Sequence, residues 1–514
     1  MELERKVEFV SELDLPWYHR RFFQWVLSLL VPPVGLVLLW RHPLMRRPRK
    51  WVLGSLVLVH LVIWIGLLGA LGIQVGWFAL DWKGGDLPEL VLRRDGPNYL
   101  LLEQDREARE RARNDGATTN RIQTVAAYWT DFRGPGRAGD YEEAPIRTRW
   151  PTRGLPALWQ QPCGGGYASF VVAEGLAFTI EQRLNKEVVA AYDLETGYEV
   201  WTQAHEALFS EWMGGDGPRA TPIYHEGRLY SLGATGNLRC LGARTGTLIW
   251  EHDVLADSGS ENLRYGLAGS PVISGEQVIV SSGTANESGT LLGYDMLTGG
   301  LLWKAVPEQQ AYVSPMFATL GGRRQLLVVT ASHVLGFDPE NQSVLWEHPW
   351  EVSYGNAICL PVVVDENRFF LGAGYGTGGS LFEVGSGDAG LAVKEVWHNQ
   401  HLRTKFNPAV YHEGCLYGLD EGVLTCVDAA TGERKWRKGR YGYGQLLVAG
   451  DHLIVLGGEG RLALVEATPE QFRELASFQA LKGKTWNVPA IAHGRLLVRN
   501  SAEMACFDLG LPRL

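Results

Sequence analysis

The sequence predicts an all-β fold, an eight-bladed β-propeller, behind two N-terminal transmembrane helices. Three observations carry that prediction. A unit that begins with Asp or Gly, turns at Thr-Gly and ends in Trp eight residues after its first member recurs along the chain. Successive aromatic ends are spaced by 42, 49, 53, 43, 51, 39 and 42 residues, the period of propeller blades built from short strands. Ahead of the repeats lie two uncharged stretches, 22–40 and 51–73, of 19 and 23 residues.

The bulk properties agree. A chain of 514 residues exceeds what one hydrophobic core normally supports, so several domains or a repeat are expected. The 62 Gly and 19 Trp imply many turns and large flat packing groups, as in an all-β repeat. Net charge is −9, yet residues 1–50 carry nine Lys/Arg against five Asp/Glu, leaving −13 on the rest. So acidic a domain lacks the basic face that nucleic acid requires, and nucleic acid is excluded as a partner.

The apolar stretches lead the chain. At ~1.5 Å per helical residue each can cross a ~30 Å hydrocarbon core, so the lipid bilayer is the expected partner of 22–40 and 51–73. Between them RHPLMRRPRK (41–50) supplies Arg41, Arg46, Arg47, Arg49 and Lys50; short basic loops stay in the cytoplasm. The second span then exits, with Trp77 and Trp82 at the far interface and everything after about residue 82 extracytoplasmic. Arg20 and Arg21 also flank the first span, and Pro32-Pro33 interrupt it. A re-entrant hairpin is therefore the alternative to a full crossing. A cleaved signal peptide is not expected, because no small-residue cleavage site follows the first span. The organisation is a membrane anchor (1–82), a charged connector (83–127), a lead-in segment (128–149) and a propeller (150–514). Within the connector, DREARERARND (105–115) has no apolar stripe and is expected to be a solvated spacer.

The repeat units run Asp193-Thr196-Gly197-Trp201, Gly242-Thr245-Gly246-Trp250, Asp295-Thr298-Gly299-Trp303, Asp338-Asn341-Gln342-Trp346 and Asp428-Thr431-Gly432-Trp436. Two degenerate units end at Trp397 and Phe478, and Trp159 opens the series. Asp caps the turn with its side chain, and Gly takes the left-handed position at little steric cost. Trp on the outer strand fills the wide gap to the next twisted sheet. The C-terminal 487–509 offers three strands without a Trp strand, while 155–161 offers a Trp strand with nothing before it. Joining them closes the ring and removes its free edges.

The D-x-x-T-G-x-x-x-W unit resembles the repeat of pyrroloquinoline-quinone-like (PQQ-like) β-propellers, which include quinoprotein alcohol dehydrogenases and the propeller lipoprotein of the outer-membrane protein assembly machinery. YWTDFRGPGRAG (128–139) resembles the W-x-x-FRGP-x-R-x-G segment that precedes bacterial PQQ-like repeats. The resemblance spans about residues 128–510. It implies that enzymes of the group hold a quinone in the central funnel, using a vicinal Cys-Cys ring, a calcium bound by Glu and Asn, an Asp base and a Trp floor. The six cysteines here, Cys163, Cys240, Cys359, Cys415, Cys426 and Cys506, include no adjacent pair, and C-x-x-C-H is missing.

Cys240, Cys426 and Cys506 share one repeat position and read as small buried packing. Cys415 and Cys426 are placed to face each other across the hairpin at Asp420-Glu421, with a disulfide as the alternative to free thiols. No cysteine spacing suggests zinc, and no metal ligand set is predicted. HEG recurs at 225–227 and 412–414 in the same repeat position, so it reads as a turn. YGTGGS (375–380) opens no helix and is not a phosphate loop.

A ligand site in a propeller defaults to the channel mouth, where the inner strands begin. Those starts hold Tyr167, Asp216, Arg219, Arg264, Tyr265, Tyr312, Lys405, Asn407, Arg440, Tyr443, Trp486 and Asn487. In a functional reading Arg219, Arg264 and Lys405 bind a carboxylate, Trp486 or Tyr443 stacks on a flat ligand, and Asp216 is the one acid placed to act as a catalytic base or a metal ligand. In the bland reading these groups fill and hydrate a channel mouth. The expected function is a membrane-tethered periplasmic scaffold or membrane-complex subunit at the inner membrane, with envelope or membrane proteins as partners and no cofactor. The alternative is a PQQ-dependent alcohol dehydrogenase-like oxidoreductase using PQQ and calcium in the funnel.

Overall fold

The computed structural model describes residues 16–43, 45–75, 77–85, 87–92, 96–114, 125–388 and 390–511. Asp115, the last residue of the charged stretch, and 116–124 of the connector lie outside the described residues. The chain divides into two compact units, Met1–Asp81 with Pro88–Arg94, and Trp82–Leu87 with Asp95–Leu514.

In the first unit the stretch read as one span is two helices, α1 (Arg21–Leu30) and α2 (Pro32–Arg41), broken at Val31. Ten residues reach only about 15 Å, too short to cross. The break follows from Pro32 and Pro33, which supply no N–H to a helix continuing from α1. The pair folds back on itself: His42 Nε2 donates to the His19 carbonyl at 2.9 Å, joining the end of α2 to the start of α1. A side chain at Gly35 would collide with Ser28, so glycine is what lets the two backbones approach. A helical hairpin thus replaces the first of the two expected transmembrane helices. The third helix, α3 (Arg47–Gln74), is 28 residues long. Among the described residues it is the one helix long and apolar enough to cross a membrane. His60, midway along it, donates to the Leu29 carbonyl at the hairpin tip at 3.0 Å. A short antiparallel ribbon, Ala79–Asp81 with Glu89–Val91, completes the unit.

The second unit is the eight-bladed ring. Seven sheets follow in chain order, over 171–206, 223–253, 272–305, 316–349, 362–399, 410–440 and 445–479. The eighth joins three C-terminal strands to Ala157–Pro162, so the ring closes as the sequence predicts. Blade 7 gains a fifth strand: Asp140–Tyr141 pairs in parallel with Val448–Ala449.

One geometry recurs in the blades. Trp159, Trp201, Trp250, Trp303, Trp346, Trp397 and Trp436 lie opposite Cys506, Ala191, Cys240, Gly293, Gly336, Leu381 and Cys426 on the neighbouring strand, and the register slips just beyond each pair. The residue beneath the indole is mostly small because the ring lies over it; a side chain at Gly293 would collide with Trp303. The indole N–H of Trp303 and Trp346 stays within its own blade, donating to Gln277 at 2.8 Å and to Gln325 at 2.5 Å, whereas the others reach the next blade. Trp159 donates to Leu194 O at 3.0 Å, Trp201 to Ala243 O at 2.9 Å and Trp397 to Ala429 O at 3.1 Å. Each of these carbonyls follows the first residue of a repeat turn. Asp193, Asp295 and Asp428 form those turns by accepting from the backbone and hydroxyl of Thr196, Thr298 and Thr431.

Blade 7 departs from the expectation. Its Trp slot is Ala476, opposite Leu464, and Phe478 pairs with Leu462 two residues further on. Phe478 packs instead on Trp150 and Phe507, with ring centroids 5.8 and 5.3 Å apart. The six cysteines are buried free thiols. Three of them lie beneath a Trp, and burial pushes the Cys240 thiol up to about 11. Cys415 lies opposite Asp428, and Cys426 opposite Tyr417; across this diagonal of the hairpin the two thiols interact with each other and are free rather than bridged.

The connector helix α4 (Tyr99–Asn114) is docked, contrary to the expected solvated spacer. Lacking an apolar stripe, it attaches through charge. Arg106 pairs with Glu199 at 2.6 Å, and Arg109 donates to Gln160 O at 3.2 Å. Glu199 also holds Arg183 at 2.7 Å, which pairs with the fully buried Glu181 at 2.6 Å. Leu102 is buried at the same contact.

The wedge makes a direct prediction. Trp159→Ala is expected to cost about 3–5 kcal/mol, and Trp159→Phe, which keeps a ring but loses the N–H, about 1 kcal/mol. Denaturant unfolding measures both, and a Trp159→Ala protein as stable as the parent would remove the wedge from the account.

Candidate functional site

The inner strands begin at one mouth of the channel and converge on a cavity of about 180 Å3. Its wall is largely aromatic. Tyr167 stacks on Trp486 with centroids 5.4 Å apart, Phe406 lies 4.7 Å from Trp486, and Tyr265 lies 5.4 Å from Tyr312. Tyr375 and Phe132 also line it. The polar wall is Glu211, Arg219, Ser314, Asn356 and Gln445. Trp82 completes the lining. Rather than marking a membrane interface, Trp82 belongs to the propeller unit and packs edge-on against Trp486 at 5.4 Å.

The lead-in segment crosses the far side of the channel like a spoke. Trp129 O and Thr130 O accept from Val172 N and Tyr224 N in blades 1 and 2, at 2.7 and 2.8 Å. Arg137 is buried, pairs with Asp131 at 2.9 Å and donates to Pro315 O at 2.6 Å. Arg133 donates to Ala409 O at 3.3 Å, and burial pushes its guanidinium down to about 10. Two arginines thus tie the segment to carbonyls on opposite parts of the ring. The Phe132 ring, just ahead of both in sequence, forms part of the cavity wall.

The cations expected to bind a carboxylate are engaged within the chain. Arg219 pairs with Glu211 at 3.2 Å, donates to Gly215 O at 2.9 Å and lies 4.7 Å from the Phe209 ring. Burial outweighs the attraction of Tyr167 and Glu211 and pushes its guanidinium below the usual range. Lys405 is buried and divides its ammonium between Glu421, at 3.0 Å, and the Gly84 carbonyl, at 3.0 Å. Arg264 is exposed and lies over its neighbour Tyr265 at 5.4 Å. Arg440 ends the outer strand of blade 6, away from the inner starts.

Of the remaining candidates, Tyr312 and Trp486 line the cavity, whereas Asp216, Asn407, Tyr443 and Asn487 do not. Asn407 caps the local turn by accepting from Lys405 N at 3.0 Å. Asn487 donates to Ala168 O at 2.9 Å and Gly166 O at 3.2 Å, joining blades 8 and 1. Tyr443 donates to Glu421 at 2.6 Å. Sequence reasoning passed over Glu211, Trp82 and Tyr375. Glu211 lies in an irregular loop with no repeat partner, and Tyr375 sits in a Gly-rich turn whose approach to the channel only the closed ring reveals.

These residues do not fit PQQ with calcium. A calcium takes six to eight oxygens, yet among the described residues Glu211 is the one carboxylate in the cavity wall and is held by Arg219 and by Met213 N at 2.7 Å. No cysteine lines the cavity. Elsewhere His412, Glu413 and Asp451 come within 4.8 Å of one another. Glu413 and Asp451 are exposed on inner-strand turns, and Glu226 and Glu413 share a positive φ of 45° and 43°, as expected for a repeated turn.

Comparison with known proteins follows the repeat. The family model described as outer membrane protein assembly factor BamB matches residues 185–438. No curated protein sequence matches the chain. Quinohemoprotein alcohol dehydrogenase from Comamonas testosteroni is 14% identical with a TM-score of 0.52, over 80% of this chain and 85% of that one. The quinohemoprotein alcohol dehydrogenase ADHIIG from Pseudomonas putida HK5 is 13% identical with a TM-score of 0.53, over 76% and 81%. BamB from Moraxella catarrhalis is 18% identical with a TM-score of 0.49, over 70% and 99%. At these identities the likeness is one of fold.

The Glu211–Arg219 pair can be tested alone. Glu211→Gln keeps an acceptor for Met213 N but leaves a buried guanidinium without its counter-charge. A loss of about 1–3 kcal/mol is expected, read from thermal or denaturant unfolding. An unchanged stability would show that Arg219 does not depend on Glu211.

Proposed function

The propeller belongs to the PQQ-like repeat family, and from that premise we propose that the chain is a membrane-anchored, extracytoplasmic interaction scaffold. The observation that carries this reading is that Arg219 and Lys405 in the funnel are already engaged by Glu211, Glu421 and the Gly84 carbonyl. A funnel so occupied leaves the outer strands and loops as the working surface. Outer strands present apolar side chains to solvent, among them Ile249, Leu302, Val344 and Val396, as an interaction surface needs. Partners of the kind the matched family description implies, proteins assembled in the bacterial envelope, suit that surface.

Anchoring at the inner membrane is the second part of the proposal. Arg41, Arg46, Arg47, Arg49 and Lys50 cluster at the start of α3, and the His19–His42 bond brings Arg20 to the same end. Short basic segments stay cytoplasmic. The hairpin α1–α2 then enters and returns from the cytoplasmic side, and α3 crosses once.

Two measurements test the reading. Alkaline phosphatase fused after residue 92 is expected to be active, and an inactive fusion would contradict extracytoplasmic placement. A photo-crosslinking residue at Ile249, Leu302 or Val396 in intact membranes is expected to capture discrete protein adducts. Failure at all three, with a well-expressed protein, would contradict the scaffold.

A further inference from the structure

We propose that residues 82–85 form a strap across the funnel mouth, with Trp82 as a latch that occupies the aromatic cavity and gates access to it. The strap belongs to the propeller unit although residues on both sides, up to 81 and from 88 to 94, belong to the other. Trp82 is 8% exposed. Its ring lies 5.4 Å from Trp486 and 6.2 Å from Phe406, and its indole N–H turns back to Gly85 O. An indole therefore sits where a ligand entering the funnel would meet the aromatic wall.

Among the described residues, contacts beyond the Trp82 packing also fasten the strap, and none of them is a strand pairing within a blade. Lys405 donates to the Gly84 carbonyl at 3.0 Å. Lys83 pairs with Glu459 at 2.8 Å on the rim, where Glu459 is 71% exposed. Gly84 lies flat on the Tyr443 ring at φ +94°, a conformation costly for any other residue, and a side chain there would collide with that ring. No strand of a blade is built from the strap. One indole, one carbonyl and one rim ion pair are the scale of a local opening, well below global unfolding. Residues 75–81 join the strap to the apolar helix α3, so the funnel latch and the membrane anchor are one continuous stretch of chain.

The test places a reporter thiol beneath the strap in the full-length protein in membranes. Ala268 lines the cavity, and Ala268→Cys adds one sulfur there; the six native thiols are buried and report on blade integrity. A membrane-impermeant maleimide is expected to label Cys at 268 roughly tenfold faster when Trp82→Ala or Gly84→Ala opens the strap. Native cysteines should stay unlabelled. Equal rates at 268 with the strap intact and in both variants would overturn the proposal. Should Trp82→Ala also expose native thiols, Gly84→Ala, whose change is confined to the strap, decides the matter by the same comparison.

Discussion

The interaction on which the rest of the structure depends is the wedge of one blade's tryptophan against the next blade's turn. A four-stranded blade has no core of its own and is stable only beside neighbours. The outer-strand indole supplies a flat surface over a mostly small residue of its own blade, and in five blades its N–H satisfies a carbonyl that the next turn would otherwise bury unpaired. Asp, Thr and Gly in the turn hold that carbonyl in position. The same nine-residue unit therefore makes a tight turn and a blade-to-blade joint.

A ring built this way has a channel through its centre, and this chain fills it with its own parts. The lead-in segment crosses one side, its two arginines donating to carbonyls from several blades. On the other side the inner strand starts contribute rings rather than free charges. Arg219 and Lys405, which in isolation suggest an anion site, are matched to Glu211, Glu421 and backbone carbonyls. Buried cations need such partners to be tolerated, and a cation so engaged has little left for a ligand.

The fold was legible because the wedge repeats. Trp201, Trp250 and Trp436 stand at a constant distance from their turns, and periodic physics leaves a periodic trace. Closure by residues 157–162 followed from an unpaired Trp strand at one end and three strands at the other. Where periodicity ended, legibility ended. Phe478 took the spacing of a wedge but not its slot, which Ala476 holds, and packs on Trp150 instead. The first apolar stretch was long enough to cross, yet Pro32 and Gly35 made a hairpin of it. Trp82 read as an interface residue because its partners, Phe406 and Trp486, lie more than 300 positions away. Glu211 was invisible for another reason: a salt bridge to Arg219 inside an irregular loop has no repeat to announce it.

Shared architecture with quinohemoprotein dehydrogenases and a family description drawn from outer-membrane assembly leave two functions available to one fold. The side chains in the funnel separate them. A channel whose cations are neutralised internally, and whose wall holds one carboxylate among the described residues, supports the proposed scaffold reading over the enzymatic one. The most direct measurement is equilibrium titration of the full-length protein with pyrroloquinoline quinone and calcium, followed by quenching of tryptophan fluorescence. The account predicts no saturable quenching. Saturable, calcium-dependent quenching accompanied by a raised unfolding temperature would contradict it.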